Sequence, residues 1–244
     1  MSIRPIKSLS EATPTMEGAG VHLHRVFGFG DTTEFDPFLM MDDFRNDDPQ
    51  KYASGFPWHP HRGIETITYV LKGQVEHADS LGNRGVLSDG DVQWMTAGSG
   101  IIHQEMPEGN AQGQMHGFQL WANLPRDQKM CTPRYQDIKA PDINSLTDDD
   151  GTHIRVIAGD YRGYRGPVDG IDTDPAYPDV SMMPNVTKRF PFDTRRQGFA
   201  YLFEGSANFG NASVPVGVNV EQEFAGEELK IGDQSGNRPL DVFG

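Results

Sequence analysis

The chain has 244 residues, 28 glycines, 17 prolines, a single cysteine and a net charge of −14. Its Gly and Pro content is about half as much again as average composition would carry, which fits many short strands joined by turns and does not fit a helix-rich domain. The negative charge argues against direct binding to nucleic acid, where clustered Lys and Arg must meet phosphates, and against an anionic membrane surface. The lone Cys131 excludes an internal disulfide. Residues 1–13 lack the apolar core of a signal peptide, and no run approaches a membrane span, so the sequence reads as a cytoplasmic protein.

In chain order, residues 20–42 alternate short apolar stretches with turn residues, and 43–55 form a polar, Pro- and Gly-punctuated loop. Thr66–Leu71 is a β-branched strand stopped at Lys72-Gly73. Val75–Ala78 starts another, and Ser80-Leu81-Gly82-Asn83 has the chemistry of a hairpin turn. Val86-Leu87 and Val92–Met95 follow after further turns. Strands at this spacing predict a sandwich or barrel. Asp148-Asp149-Asp150 reads as a solvated loop between two halves of the chain rather than a cation site. The strand pattern restarts at His153–Gly159. Residues 161–183 are too poor in apolar periodicity for a helix. Phe199–Gly205 echoes Ile67–Gly73, a short hint of two copies of one β-unit.

Eight histidines occur, at 22, 24, 59, 61, 77, 103, 116 and 153. On a strand, residues i and i+2 project from one face, so His59-Pro60-His61 and His103-Gln104-Glu105 can each aim two ligand atoms at one point. Two such pairs on neighbouring strands would supply three imidazoles and one carboxylate, a set suited to Fe(II), Mn, Ni, Cu or Zn. His22-Leu23-His24 reads as a chance repeat. His77 and His116 read as packed or hydrogen-bonded sheet residues.

The run from His59 through Arg62-Gly63-Ile64-Glu65 to Leu71 resembles the signature of the pirin family. So do Asp79–Asn83, Gly90–Gly98, Glu105-Met106-Pro107 and Gln119–Pro125. The resemblance is dense from Asp36 to Pro125 and looser from Arg155 to Gly205. It implies an all-β bicupin of two double-stranded β-helix (jelly-roll) barrels, with metal in the first alone. The expected division is a metal-binding barrel over residues 1–140 and a shortened, metal-free barrel over 141–244, incomplete at its C-terminus because pirins usually continue beyond the position of Val242.

Carried over residue by residue, the resemblance puts the metal ligands on His59, His61, His103 and Glu105. Glu65 lies four residues past His61, about 13 Å along an ideal strand, and is assigned to orienting a ligand or to an ion pair with Arg62. The implied activity is a quercetin 2,3-dioxygenase-like oxidoreductase, with one mononuclear metal, Fe(II) preferred, and Glu105 as catalytic base. Its substrates would be a flavonol-like aromatic and O2. The alternative is a non-catalytic, iron-binding regulatory protein acting through a protein partner. Phe38, Phe56, Trp58, Met95 and Met106 are candidates to line an aromatic pocket, Phe56 and Met106 first.

Overall fold

The computed structural model describes residues 5–171, 175–191, 193, 195–210, 212–215, 218–222 and 228–233. It is an all-β protein, as expected. Among the described residues, helix is limited to α1 (Thr32–Phe35) and two 3-10 turns at Pro49–Lys51 and Ala140–Asp142. None of these is long and apolar enough to cross a membrane. The expectation of an incomplete C-terminus, which turns on Asp241–Gly244, lies outside the described residues.

Two compact units form. One holds residues 13–143 and 168–174; the other holds 1–12, 144–167 and 175–244. Its first strand, β1 (Ile6–Glu11), therefore belongs with the C-terminal half of the chain and pairs there with a late strand. The site-bearing unit is built from β2 (Thr13–Glu17), β3 (Val21–Phe27), β4 (Phe38–Asp43), β5 (Phe56–His61), β6 (Ile64–Lys72) and β7 (Gln74–Asp79). It is completed by β8 (Arg84–Leu87), β9 (Val92–Thr96), β10 (Ile101–Glu108), β11 (His116–Asn123) and β12 (Arg134–Ile138).

Seven of these strands make one antiparallel sheet in the order β12-β9-β6-β11-β4-β3-β2. The other four make β5-β10-β7-β8. Turn chemistry fixes the registers. The β7–β8 hairpin turns at Gly82, whose φ of +90° is open to glycine and costly for other residues. Alternation along β10 buries Ile101, His103, Glu105 and Pro107 and turns Ile102 and Glu108 outward. Val21, Leu23, Phe44, Tyr52, Val70, Val75, Leu87 and Met115 fill one end of the interior.

The other unit contains β13 (Ser145–Thr147), β14 (His153–Ala158), β15 (Asp160–Tyr161), β16 (Tyr164–Arg165), β17 (Tyr177–Ser181), β18 (Thr187–Pro191), β19 (Phe199–Leu202), β20 (Ser206–Phe209), β21 (Ala212–Pro215), β22 (Val218–Gln222) and β23 (Glu228–Asp233). Its sheets include β13-β14-β17 and β18-β23-β20-β21. Ile154, Val156, Val180, Met182, Phe190, Leu202 and Phe209 are among its buried core.

The acidic run is a loop with Asp149 and Asp150 exposed, as read in the sequence, but it also carries ion pairs that the sequence did not show. Asp148 accepts a hydrogen bond from Arg162 (2.9 Å) and pairs with Lys188, which also donates to both oxygens of Asp150 (3.0 and 2.9 Å). The Lys188 side chain is only 7% exposed. An ammonium withdrawn from water needs carboxylates around it, and that need gathers the run against β18.

Candidate metal centre and its pocket

Neighbouring strands bring His59, His61 and His103 together and set Glu105 beside His103. On β10, His103 stands opposite His59 of β5 on one side and opposite Asp79 of β7 on the other; Glu105 stands opposite His77. A register shift between His103 and Glu105 marks the β5 side. The rings of His59, His61 and His103 lie with centroids 4.4–4.9 Å apart. One ligating nitrogen from each lies within 4.8 Å of the others. Glu105 falls into a second group with His103 and His77, one carboxylate oxygen lying within the same limit of a nitrogen from each. His103 therefore joins the three-histidine group to the carboxylate.

The protonation states suit ligation, which requires neutral imidazoles. Burial, reinforced by the neighbouring imidazoles, pushes His61 and His103 down to about 3. His59 Nδ1 is 2.8 Å from the carbonyl of Pro57. A carbonyl only accepts, so Nδ1 carries a hydrogen, and Nε2 is the nitrogen left for ligation. Among the described residues, His103 Nε2 is buried with no hydrogen-bond partner. Three clustered imidazoles, two of them kept neutral by burial, with a carboxylate beside His103, fit a divalent first-row metal.

Glu105 is buried, and both its oxygens are held. Thr68 Oγ1 of β6 donates to Oε1 (2.6 Å), and Gln119 Nε2 of β11 donates to Oε2 (2.8 Å). Thr68 and Gln119 are opposite each other across β6 and β11, so one cross-strand pair grips the carboxylate. Glu65 is three residues from Thr68 on the same strand, hence on the other face of β6. It is fully buried and accepts from Thr96 (2.8 Å), while Arg62 donates to the Ser99 carbonyl (2.9 Å).

A cavity of about 410 Å³ opens beside His59, His61 and Glu105. That volume is typical of small-molecule sites. Leu23, Phe29, Met40, Phe44, Phe56 and Trp121 give it an apolar lining. The Trp121 ring meets His61 edge-on at 4.8 Å. Part of the wall is polar: Arg25 donates to both oxygens of Asp42 (2.9 Å each) and pairs with Glu17 at 3.0 Å.

Of the five pocket candidates only Phe56 lines the cavity. Phe38 is buried opposite Ala122, Met95 packs with Ala97 and Ile101, and Trp58 is 53% exposed. The Met106 thioether lies against Gly55, where an added Cβ would meet it at 2.8 Å. Alternation explains Met106: it is adjacent to Glu105 and must point to the other face.

His22 and His24 are exposed on β3, with Val21 and Leu23 turned inward. His116 is packed, beside Asp43 at 3.7 Å, and burial pushes it down to about 4. His77 is packed too, but against His103, with the two Nδ1 atoms 3.4 Å apart. The i, i+2 pair His77 and Asp79 was a visible signal for that role. Thr68 and Gln119 lie in runs that resemble the pirin signature but were given no role there, and no sequence pattern pointed to Arg25.

Comparisons with known proteins agree with this architecture. A family model described as Pirin matches residues 20–122. A pirin-like protein of Caulobacter vibrioides is 42% identical over 88% of this chain and 78% of its own length. The solved quercetin 2,3-dioxygenase of Acinetobacter baumannii superposes with a TM-score of 0.87 at 26% identity, covering 100% of this chain and 87% of that one. A bacterial pirin of Escherichia coli, solved with nickel(II), shares the fold at a TM-score of 0.74 and 22% identity, over 97% of each chain. By its sequence, its all-β bicupin fold and its inward-facing histidines, the chain belongs to the pirin family.

Proposed function

We propose that the chain is a metal-dependent dioxygenase that cleaves flavonols such as quercetin with O2, acting in the cytoplasm. The observation that carries this reading is an apolar cavity of about 410 Å³ lined by His59, His61 and Glu105, the two histidines grouped with His103. The likeness to the Acinetobacter baumannii quercetin 2,3-dioxygenase supports it.

His59, His61, His103 and Glu105 would hold the metal, Fe(II) by preference. When bound there, it supplies a Lewis acid that favours ionisation of the flavonol 3-hydroxyl and a redox partner for O2. Glu105 takes the hydroxyl proton and returns it to the product. Thr68 and Gln119 keep its oxygens aimed for that transfer. Trp121, Phe29 and Phe56 offer faces to planar rings and exclude water. Arg25, Asp42 and Glu17 meet ring hydroxyls at the polar wall. A flavonol and O2 then give a ring-opened phenolic ester acid and carbon monoxide.

The test is O2-dependent loss of quercetin absorbance by Fe(II)-loaded protein beside equally loaded Glu105→Gln. Gln keeps an oxygen but is a poor base. Turnover in the wild type that falls by roughly 10²–10⁴ in the variant is expected. Equal rates, or no turnover in fully loaded wild type, overturn the reading.

A further inference from the structure

His103 is the residue common to both ligand groups, and its ligating ability depends on which ring nitrogen carries hydrogen. A chain of contacts bears on that choice. Asp79 sits at the end of β7, and its carboxylate is fixed by three donors. Leu81 N–H (2.9 Å) and Asn83 N–H (3.0 Å) reach Oδ1, and the Asn83 side-chain amide (2.7 Å) reaches Oδ2. Oδ2 faces His77 Nε2 at 3.6 Å, just beyond hydrogen-bond distance, with both side chains fully buried and no other polar partner for Nε2 among the described residues.

A carboxylate accepts and does not donate, so its field holds the His77 hydrogen on Nε2 and leaves Nδ1 as an acceptor. His77 Nδ1 is 3.4 Å from His103 Nδ1. One acceptor there requires one donor, and the His103 hydrogen goes to Nδ1. His103 Nε2, buried without a hydrogen-bond partner, is left with its lone pair. Tyr135 locks His77 from the side, its ring stacked at 4.9 Å and 25°. Gly85, opposite His77 on β8, makes room for it: a Cβ there would meet Tyr135 Oη at 2.5 Å.

We infer that His77, oriented by Asp79 and clamped by Tyr135, is a positioning residue that sets the ligating tautomer of His103. The inference rests on the metal reading proposed above and adds to it a residue that is not itself a ligand. Residues behind a metal-binding imidazole typically change metal affinity by 10- to 100-fold.

The experiment titrates anaerobic Fe(II) into wild type, His77→Phe, His77→Gln and His77→Asn, and records 15N spectra of the metal-free proteins. Asn places an amide atom where His77 Nδ1 stood, Gln places one nearer Nε2, and Phe keeps only the ring. The Fe(II) dissociation constant should rise 10- to 100-fold in His77→Phe and His77→Gln and stay within about threefold of wild type in His77→Asn. The His103 signals should show hydrogen on Nδ1 in wild type and a mixture in His77→Phe. If His77→Phe fails to fold, His77→Gln against His77→Asn decides. Unchanged affinity and tautomer in the variants overturn the inference. So does uptake of two Fe(II) per wild-type chain falling to one in the variants, since His77 would then be a ligand. Wild type that binds Fe(II) and shows these effects yet consumes no quercetin overturns the dioxygenase reading alone; wild type that binds no Fe(II) overturns both.

Discussion

Thr66 and Thr68 offer a controlled test of how the barrel interior is held together. They are two residues apart on β6 and point to the same face, opposite Trp121 and Gln119 of β11. Both are buried. Thr68 Oγ1 donates to Glu105 at 2.6 Å, whereas Thr66 Oγ1 is buried with no hydrogen-bond partner among the described residues. The same substitution, Thr→Val, should therefore act in opposite directions. Thr68→Val deletes a hydrogen bond to a buried carboxylate, worth about 1.5–3 kcal/mol, and we expect a loss near 2 kcal/mol. Thr66→Val removes a hydroxyl whose desolvation nothing offsets, and we expect a gain of about 1 kcal/mol. At ~2–4 °C per kcal/mol for a chain of this size, Tm should fall by about 4–8 °C in the first and rise by about 2–4 °C in the second. Urea unfolding at pH 7 with a chelator present measures both. Equal effects, or the reverse order, would refute the account of Glu105 as held by Thr68.

Three further outcomes are expected. His61 and His103, held near 3 in the folded chain against 6.5 unfolded, take up protons on unfolding anywhere between those values. Their contribution to stability is complete above about pH 6.5 and is lost as pH falls toward 3, by up to ~1.4 kcal/mol per pH unit each. The metal-free protein should thus be at least ~2 kcal/mol less stable to urea at pH 5 than at pH 7, and a flat profile would contradict the burial of neutral imidazoles. Burial pushes the Asp150 carboxyl up, but hydrogen bonds from Lys188 and Thr152 outweigh it and hold it at about 2. Lys188→Met should cost about 1 kcal/mol at pH 7, a value discounted for solvent screening because Asp150 is exposed, and the deficit should shrink as pH falls from 3.8 through 2. A deficit at pH 7 that does not shrink would point to lost packing instead. Metal analysis after Fe(II) loading should find His61→Ala empty and His24→Ala full; metal retained by the first or lost by the second would redraw the ligand set.

Sequence by itself determined the all-β class and the histidine pairs, and it did so through local rules. A period of two places His103 and Glu105 on one face wherever β10 lies, and glycine at positive φ in the β7–β8 turn follows from a missing Cβ. Resemblance to pirins carried these pairs to a family and an expected ligand set. The same local rules misplaced what depends on partners from elsewhere in the chain. Met106 was a pocket candidate by proximity in sequence, and strand alternation turns it away from the cavity. The ion pairing of the acidic run at 148–150 was not visible because its cation, Lys188, lies 38 residues after Asp150. Arg25 and Tyr135 have no motif, and Thr68 and Gln119 sit in family-like runs that assign them no role; all four are gathered because antiparallel registers set β6, β11, β3 and β12 in one sheet. Ligand type is written in side-chain chemistry at a spacing of two, but hydrogen bonding and pocket shape arise between strands distant in sequence. Only the folded registers decide those.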